Sequence, residues 1–340
     1  MDEPLVSVII VNWNGRKYLD DCLGSLARDT YKNKEILFVD NASSDDSVGY
    51  VKKYYPHFIL ILNNRNLGYA EGHEIAIKKA NGKFILLLSM DTIVEKNSLT
   101  ELIKTIRLSN NIGAVQPKLL MYPQKHMIDS IGAFFLMTGI LYHYGREKDP
   151  NKPIYNKSME IFSAKGACLL FRKEALAKTG LFDKDYFAYF EETDLCHRIW
   201  LAGYRIIYSP YAVVYHKGGG SSKQMMPSFI YFHSYKNRIC TYIKNLSFKY
   251  LVVVLFYTLF MYELATIIYL LRRKFHNALA VQQAIIWNIV NLKKTLEKRK
   301  YIQTKIRVKK DDEFLPQLIK PVHFRYYYNI MFGGLKTYRD

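Results

Sequence analysis

Short apolar runs alternate with amphipathic stretches through residues 5–115. VSVIIVN (Val6–Asn12), EILFVD (Glu35–Asp40), FILIL (Phe58–Leu62) and FILLL (Phe84–Leu88) read as strands. Between and after them, Tyr18–Leu26, Ser47–Tyr54, Tyr69–Ala80 and Leu99–Leu108 space their apolar positions as helices do, and the run GAVQPKL follows. This alternation predicts an α/β fold with a parallel, doubly wound sheet. The unbroken apolar run of Phe84–Leu88 predicts a strand buried on both faces. In such sheets ligands bind beyond the carboxyl ends of the strands.

Those ends are Asn12–Trp13–Asn14–Gly15, Asp40–Asn41–Ala42–Ser43, Asn63–Asn64–Arg65–Asn66 and Ser89–Met90–Asp91–Thr92. Asn, Asp and Ser there could simply cap the following helices. Two carboxylates on one sheet edge, however, repel unless a cation or polar ligand joins them. Asp91 is therefore expected where a metal-bound diphosphate lies, with Asp40 beside it to grip a nucleoside. No GxGxxG follows the first strand and no GxxxxGK[ST] occurs, so neither a dinucleotide fingerprint nor a P-loop is present.

The C-terminal third changes character. Tyr250–Leu271 holds a single charge, Glu263, and is long enough to span a bilayer. Lys244 and Lys249 precede it and Arg272–Arg273–Lys274 follow. The second apolar stretch, Ala278–Leu292, carries Gln282, Gln283, Asn288 and Asn291, and a basic run leads on from it. Of the net charge of +19, residues 223–340 supply +15, from 21 Lys+Arg and 6 Asp+Glu. Basic residues on both sides argue against a simple crossing. A re-entrant hairpin or an in-plane pair of helices keeps them all beside anionic lipid heads. The soluble alternative is a buried helix packed on the N-terminal domain. Nucleic acid is not the expected partner, because the charge adjoins an apolar run rather than a nucleic-acid-binding module.

With 49% hydrophobic residues the chain is globular. Its four cysteines show no CxxC spacing, which fits a reducing compartment. The N-terminus lacks the basic and small-residue features of a signal peptide, so the N-terminal domain is expected in the cytosol.

The segments VSVIIVNWNG, ILFVDNASSDDS, NNRNLGYAEG, LLLSMDT, KGACLLFRKEALAKTGLFDKDYFAYFEETDLCHRIWLAGYRI and VVYHKGGGSS together resemble family 2 glycosyltransferases, most of all the rhamnosyltransferase-like members of cell-surface glycan assembly. The resemblance covers roughly residues 5–225. It implies a GT-A fold, a nucleotide diphosphate sugar as donor, a divalent Mg or Mn ion, and inverting transfer to a glycan or polyprenyl-linked acceptor. Asp40 would then meet the base or ribose, Val11, Asn12 and Trp13 would lie against the base, and Asn66 to Gly68 near the diphosphate. Asp91 matches the metal-binding aspartate, and His216 a histidine that can act as a further ligand. The Lys165–Gly166–Ala167 turn is expected beneath the donor sugar, and Gly218–Gly220 with Ser221 and Ser222 read as a lid.

YFEETDLCHR matches the segment whose second acidic position supplies the base, here Glu192, with Glu191 beside it. A sugar hydroxyl needs a carboxylate within hydrogen-bond reach to take its proton. A helix start would favour these anions by about 0.3–1 kcal/mol. The bland alternative is a solvated acidic turn with Asp194 paired to Arg198. Ser89 stands where relatives usually carry Asn or Asp, Glu192 where Asp is usual, and His73–Glu74 where an Asn-containing stretch is common. Those departures leave a second reading, a catalytically inactive scaffold that binds lipid or partner proteins. The expected organisation is a GT-A catalytic domain over 1–225 and a helical, basic, membrane-associating region over 226–340, on the cytoplasmic side of the cell membrane. Nothing in the sequence fixes an oligomeric state.

Overall fold

The computed structural model describes residues 3–220 and 222–329 together with Leu335 and Tyr338. Its first half alternates as the pattern requires: β1 (Val6–Asn12), α1 (Arg16–Arg28), β2 (Lys34–Asp40), α2 (Ser47–Tyr54), β3 (Ile59–Leu62), α3 (Gly68–Lys79) and β4 (Phe84–Leu88). A short β5 (Thr92–Val94), α4 (Ser98–Arg107) and a long β6 (Ile112–Met121) follow. Residues 122–167 carry only short strands, β7 (Ile128–Ser130), β8 (Ala133–Phe135), β9 (Leu141–His143) and β10 (Met159–Glu160). Then come β11 (Cys168–Arg172), α5 (Lys173–Thr179), α6 (Glu191–Leu201) and β12 (Arg205–His216).

The main sheet runs β10-β12-β6-β11-β4-β1-β2-β3, with β5 on β12 and β7 on β6. β1, β2, β3 and β4 pair in parallel. β11, however, is antiparallel to both β4 and β6. The sheet is thus mixed rather than parallel throughout. The connection from β6 to β11 contains no crossover helix, so the chain re-enters from the carboxyl edge and runs back. Apolar side chains alternate between the two faces. Ile9, Leu37, Ile85 and Leu87 join the core on the α3 and α6 side, whereas Val8, Ile10, Leu86 and Leu88 join the core on the α1 and α4 side. Every residue of β4 is buried, as expected of a strand covered on both faces.

Four further helices, α7 (Pro227–Asn245), α8 (Phe248–Leu271), α9 (Phe275–Val290) and α10 (Leu292–Tyr301), pack against α6 and one another. The link is ionic as well as apolar. Asp194 of α6 is fully buried and accepts from Arg198 Nε at 3.0 Å, Asn245 Nδ2 at 3.0 Å and Lys244 Nζ at 3.0 Å. Lys244 also reaches Asp183 at 2.5 Å. The Asp194–Arg198 pair expected at i,i+4 is therefore present, but inside the protein. Phe314 stacks on Trp200, with ring centroids 5.6 Å apart, and both belong to the core that lies against the sheet. The chain after α10 completes that core.

α8 buries one stripe, Tyr250, Val254, Thr258, Tyr262 and Thr266, spaced by four residues. Its other side leaves Val252, Phe256, Phe260 and Ile267 exposed. It is long and apolar enough to cross a membrane.

Candidate active site

At the carboxyl edge of β1, β2 and β4 the loops enclose a cleft of about 470 Å³. Val11, Trp13, Asn66, Gly68, Asp91, Lys165, Gly166, Glu191, Glu192 and His216 all line it. Asn12 and Asp40 do not. Asn12 Nδ2 donates to Asp40 Oδ1 at 2.9 Å, and Ser43 donates to the Asp40 carboxylate from its amide (2.8 Å) and its hydroxyl (2.6 Å). With these bonds the Asp40 carboxylate ties the end of β1 to the loop after β2, and the neighbouring Asn41 supplies the cleft wall instead. Asp40 and Asn12, expected at the nucleoside, thus stand directly behind that wall, bonded to each other and to Ser43.

The sheet itself brings His216 to Asp91. β12 pairs antiparallel with β5, His216 opposite Thr92, and Lys217 N donates to Asp91 O at 2.9 Å. His216 Nε2 consequently lies 3.5 Å from Asp91 Oδ1, while Nδ1 is 2.8 Å from Asp129 Oδ2. Ser89 Oγ donates to Asp91 Oδ1 at 2.6 Å, and the amide of Gly220 to Oδ2 at 2.9 Å. Ser89 thus positions Asp91. Gly218–Gly220 line the cleft, and the amide of Gly220 ties them to Asp91. Ser221, named with them as a lid residue, lies outside the described residues.

Asp129 is the hub that sequence reasoning missed. Besides His216 it holds Lys165 Nζ at 2.6 Å and Arg146 Nη1 at 3.0 Å. Lys165 therefore spends its ammonium on Asp129 while its chain lines the cleft. Burial alone would raise the Asp129 carboxyl, but the Lys165 charge and the His216 bond hold it well below the usual carboxylate range. Asp91 behaves likewise: burial is outweighed by His216, Ser89 and the Gly220 amide. The bonds to both carboxylates overcome burial at His216 and raise its pKa.

Asp91 and His216 offer two donors of the kinds a divalent cation takes, and among the described residues no group of three or more His, Cys, Asp or Glu side chains is arranged to hold one. A carboxylate oxygen and an imidazole nitrogen converge, and a second carboxylate on Nδ1 fixes the ring so that Nε2 faces Asp91. Arg146 beside them, with guanidinium donors beyond the one given to Asp129, suits an anionic ligand.

On the cleft's other side, Tyr189 and Phe190 both have φ of 71°, and the chain then enters α6 at Glu191. Two consecutive non-glycine residues in the left-handed region are strained, and such strain persists only where surroundings impose it. Asn237 of α7 imposes it here, donating to Ala188 O at 3.0 Å and Tyr189 O at 2.6 Å. Gly68 meets the same turn: with φ of 72° it admits no side chain, because a Cβ would stand 2.3 Å from Phe187 O.

Glu191 Oε2, Glu192 Oε2 and His73 Nε2 are buried without hydrogen-bond partners among the described residues. Buried polar atoms are rarely left so, and all three residues line this cleft. Burial, then the Glu192 charge, pushes Glu191 well above the ordinary range. Glu192 also rises through burial, but backbone amides and the Lys165 charge oppose the rise. His73 presents Nδ1 to Tyr69 O at 2.8 Å, so that nitrogen carries the proton and Nε2 offers a lone pair. Its burial lowers its pKa to about 4 and keeps it neutral. Glu74, next to it, instead pairs with Lys78 at 2.5 Å.

Residues 7–179 match the family model described as Glycosyl transferase family 2. The chain is 24% identical over 239 residues to the N-acetylglucosaminyl-diphospho-decaprenol L-rhamnosyltransferase of Mycobacterium tuberculosis, covering 62% of this chain and 76% of that protein. In structure it is similar to the mannosyltransferase PcManGT from Pyrobaculum calidifontis, solved with GDP-Man and Mn²⁺: TM-score 0.53, 15% identity, 89% of this chain and 84% of that one. TarS 1–349 of S. aureus, solved with UDP, gives TM-score 0.51 at 19% identity over 73% of this chain and 69% of that one. These likenesses establish the GT-A fold.

Proposed function

We propose a reaction for a chain that belongs to glycosyl transferase family 2: inverting transfer of a sugar from a nucleotide diphosphate sugar to a hydroxyl of a glycan or lipid-linked acceptor, at the cytoplasmic face of a membrane. The observation that carries it is the pairing, in one cleft, of Glu192, whose Oε2 has no partner among the described residues, with the Asp91–His216 pair. In this reading Asp91 Oδ1 and His216 Nε2 hold a divalent Mg or Mn ion, which when bound supplies Lewis-acid stabilisation of the departing diphosphate.

The chain's own residues do the rest. Val11 and Trp13 bear on the base, and Asn66 and Gly68 on the diphosphate. Arg146 adds positive charge, held in place by Asp129. His73 Nε2 accepts from a donor-sugar hydroxyl above the Lys165–Gly166 turn. Glu192 takes the proton of the acceptor hydroxyl while that oxygen bonds to the anomeric carbon and the bond to the diphosphate oxygen breaks. Glu192 suits this better than Glu191, because less opposes its ionisation. Asn237 and Gly68 support the strained turn that presents it.

Residues 1–225 carry the catalytic cleft, and within 226–340 the exposed apolar faces of α8 and α9 serve as the membrane-associating part. Lys249, in the first turn of α8, pairs with Asp312 at 3.1 Å, and Lys294, in the first turn of α10 after α9, pairs with Asp185 at 2.5 Å. Both ends of the hairpin are thus tied to the same body, and α8 is docked along its length. This favours attachment from one side over a crossing. The relative from M. tuberculosis, whose name specifies a diphospho-decaprenol acceptor, is in keeping with a lipid-linked substrate. Incubation with a panel of nucleotide sugars and Mn²⁺ tests the reaction. Nucleoside diphosphate release from at least one donor is expected; none from any donor favours the inactive scaffold.

A further inference from the structure

Beside the cleft lies a second hollow, an apolar groove of about 510 Å³ between α7 and α9. Trp13, Asn66, Phe187 and Met225 line both, so the two are continuous. Phe187 meets Phe229 edge-on, with centroids 5.4 Å apart, which carries the aromatic wall from the turn before α6 onto α7. Among the described residues, none that lines the groove is charged. At its outer rim stands exposed Gln283, one helical turn from Leu279 and from Ile286, which are 54% and 56% exposed. The groove therefore runs from the polar cleft to the bare apolar face of α9.

We propose that this groove holds the head-proximal part of the aliphatic chain of a lipid-linked acceptor. The inference rests on the glycosyl-transfer reading and assigns its acceptor a lipid tail and a place. Three zones in sequence make the argument. The inner zone is polar and carries Arg146 beside Glu191 and Glu192, the middle is aromatic and uncharged, and the outer is an exposed apolar helix whose start is marked by Arg272, Arg273 and Lys274. An anionic head joined to a long apolar tail matches that order. A water-soluble glycan would leave the middle zone's aromatic wall wet.

The probe is geranylgeranyl diphosphate carrying a diazirine on its terminal isoprene, photolysed with the full-length protein, with crosslinks mapped by mass spectrometry. Label is expected on residues 225–232 and 280–283. Gln283→Trp and Ser228→Trp, which fill the groove from exposed and half-exposed positions, should each cut it about tenfold at unchanged melting temperature. Equal label in all three proteins, spread over Phe256 and Phe260, would overturn the proposal, since the tail would merely partition onto α8. Absence of label would overturn it too. Calorimetry with UDP, GDP and dTDP plus Mn²⁺ keeps the two readings apart. Nucleotide binding without groove labelling removes only the groove, and groove labelling without nucleotide binding removes the transfer reaction and with it the lipid's role as acceptor.

Discussion

Asp129 holds His216 by Nδ1 at 2.8 Å and so leaves Nε2 facing Asp91. The relationship joins β7 to the last residue of β12 and gives a carboxylate–imidazole–carboxylate line through the cleft. Asp129→Asn should therefore act through the ring. Mn²⁺ affinity is expected to fall about 10–100-fold, with activity recovering at high Mn²⁺. A loss that no Mn²⁺ concentration restores would limit Asp129 to holding Arg146 and Lys165.

Glu192→Gln keeps the shape and loses the proton acceptor. The expected drop in kcat is about 10²–10⁴-fold, with donor binding nearly intact. Glu191→Gln should cost less. A greater loss in Glu191→Gln would transfer the base by one residue.

The same carboxylate sets a pH limb. Burial raises the Glu192 pKa, and the base works only when ionised. Log kcat/KM should fall as pH drops through that raised value, so the limb lies above the ordinary range near 4.3. A limb at or below that range would contradict the burial of the base.

Lys244 neutralises Asp183 and Asp194 together, the side chain of Asp194 fully buried and that of Asp183 8% exposed. Lys244→Met leaves two carboxylates short of a partner, and about 3–5 kcal/mol of stability should go, read by denaturant unfolding. Burial would raise the Asp183 carboxyl, but Lys244 and Lys298 lower it overall. Its stabilisation is thus present above the unfolded value near 3.9 and is lost as pH falls below it. In wild type, stability should decline across that window more steeply than in Lys244→Met.

How much of this was legible beforehand follows from where the signal lies. β1 and β4 were plain because their apolar runs are unbroken, and Asp91 followed as the aspartate after β4. The acidic start of α6 was plain for the same local reason. Asp40 looked equivalent to Asp91, but its side chain turns into the loop, a choice made by Ser43 and Asn12 that no pattern displays. Asp129 sits in a strand of three residues whose burial comes from distant elements, so periodicity gives no warning. The antiparallel β11 was equally hidden, since direction depends on where residues 122–167 re-enter. Asn237 was invisible because its partners are backbone carbonyls far off in sequence.

The central claim is a metal-dependent transferase built on Asp91. The most direct measurement is nucleoside diphosphate release from the best donor, titrated with Mn²⁺, for wild type and Asp91→Asn. The account predicts Mn²⁺-dependent release by wild type and none by a folded Asp91→Asn protein at any Mn²⁺ concentration. Release by Asp91→Asn at near wild-type rate, or by wild type equally well in excess chelator, would contradict it.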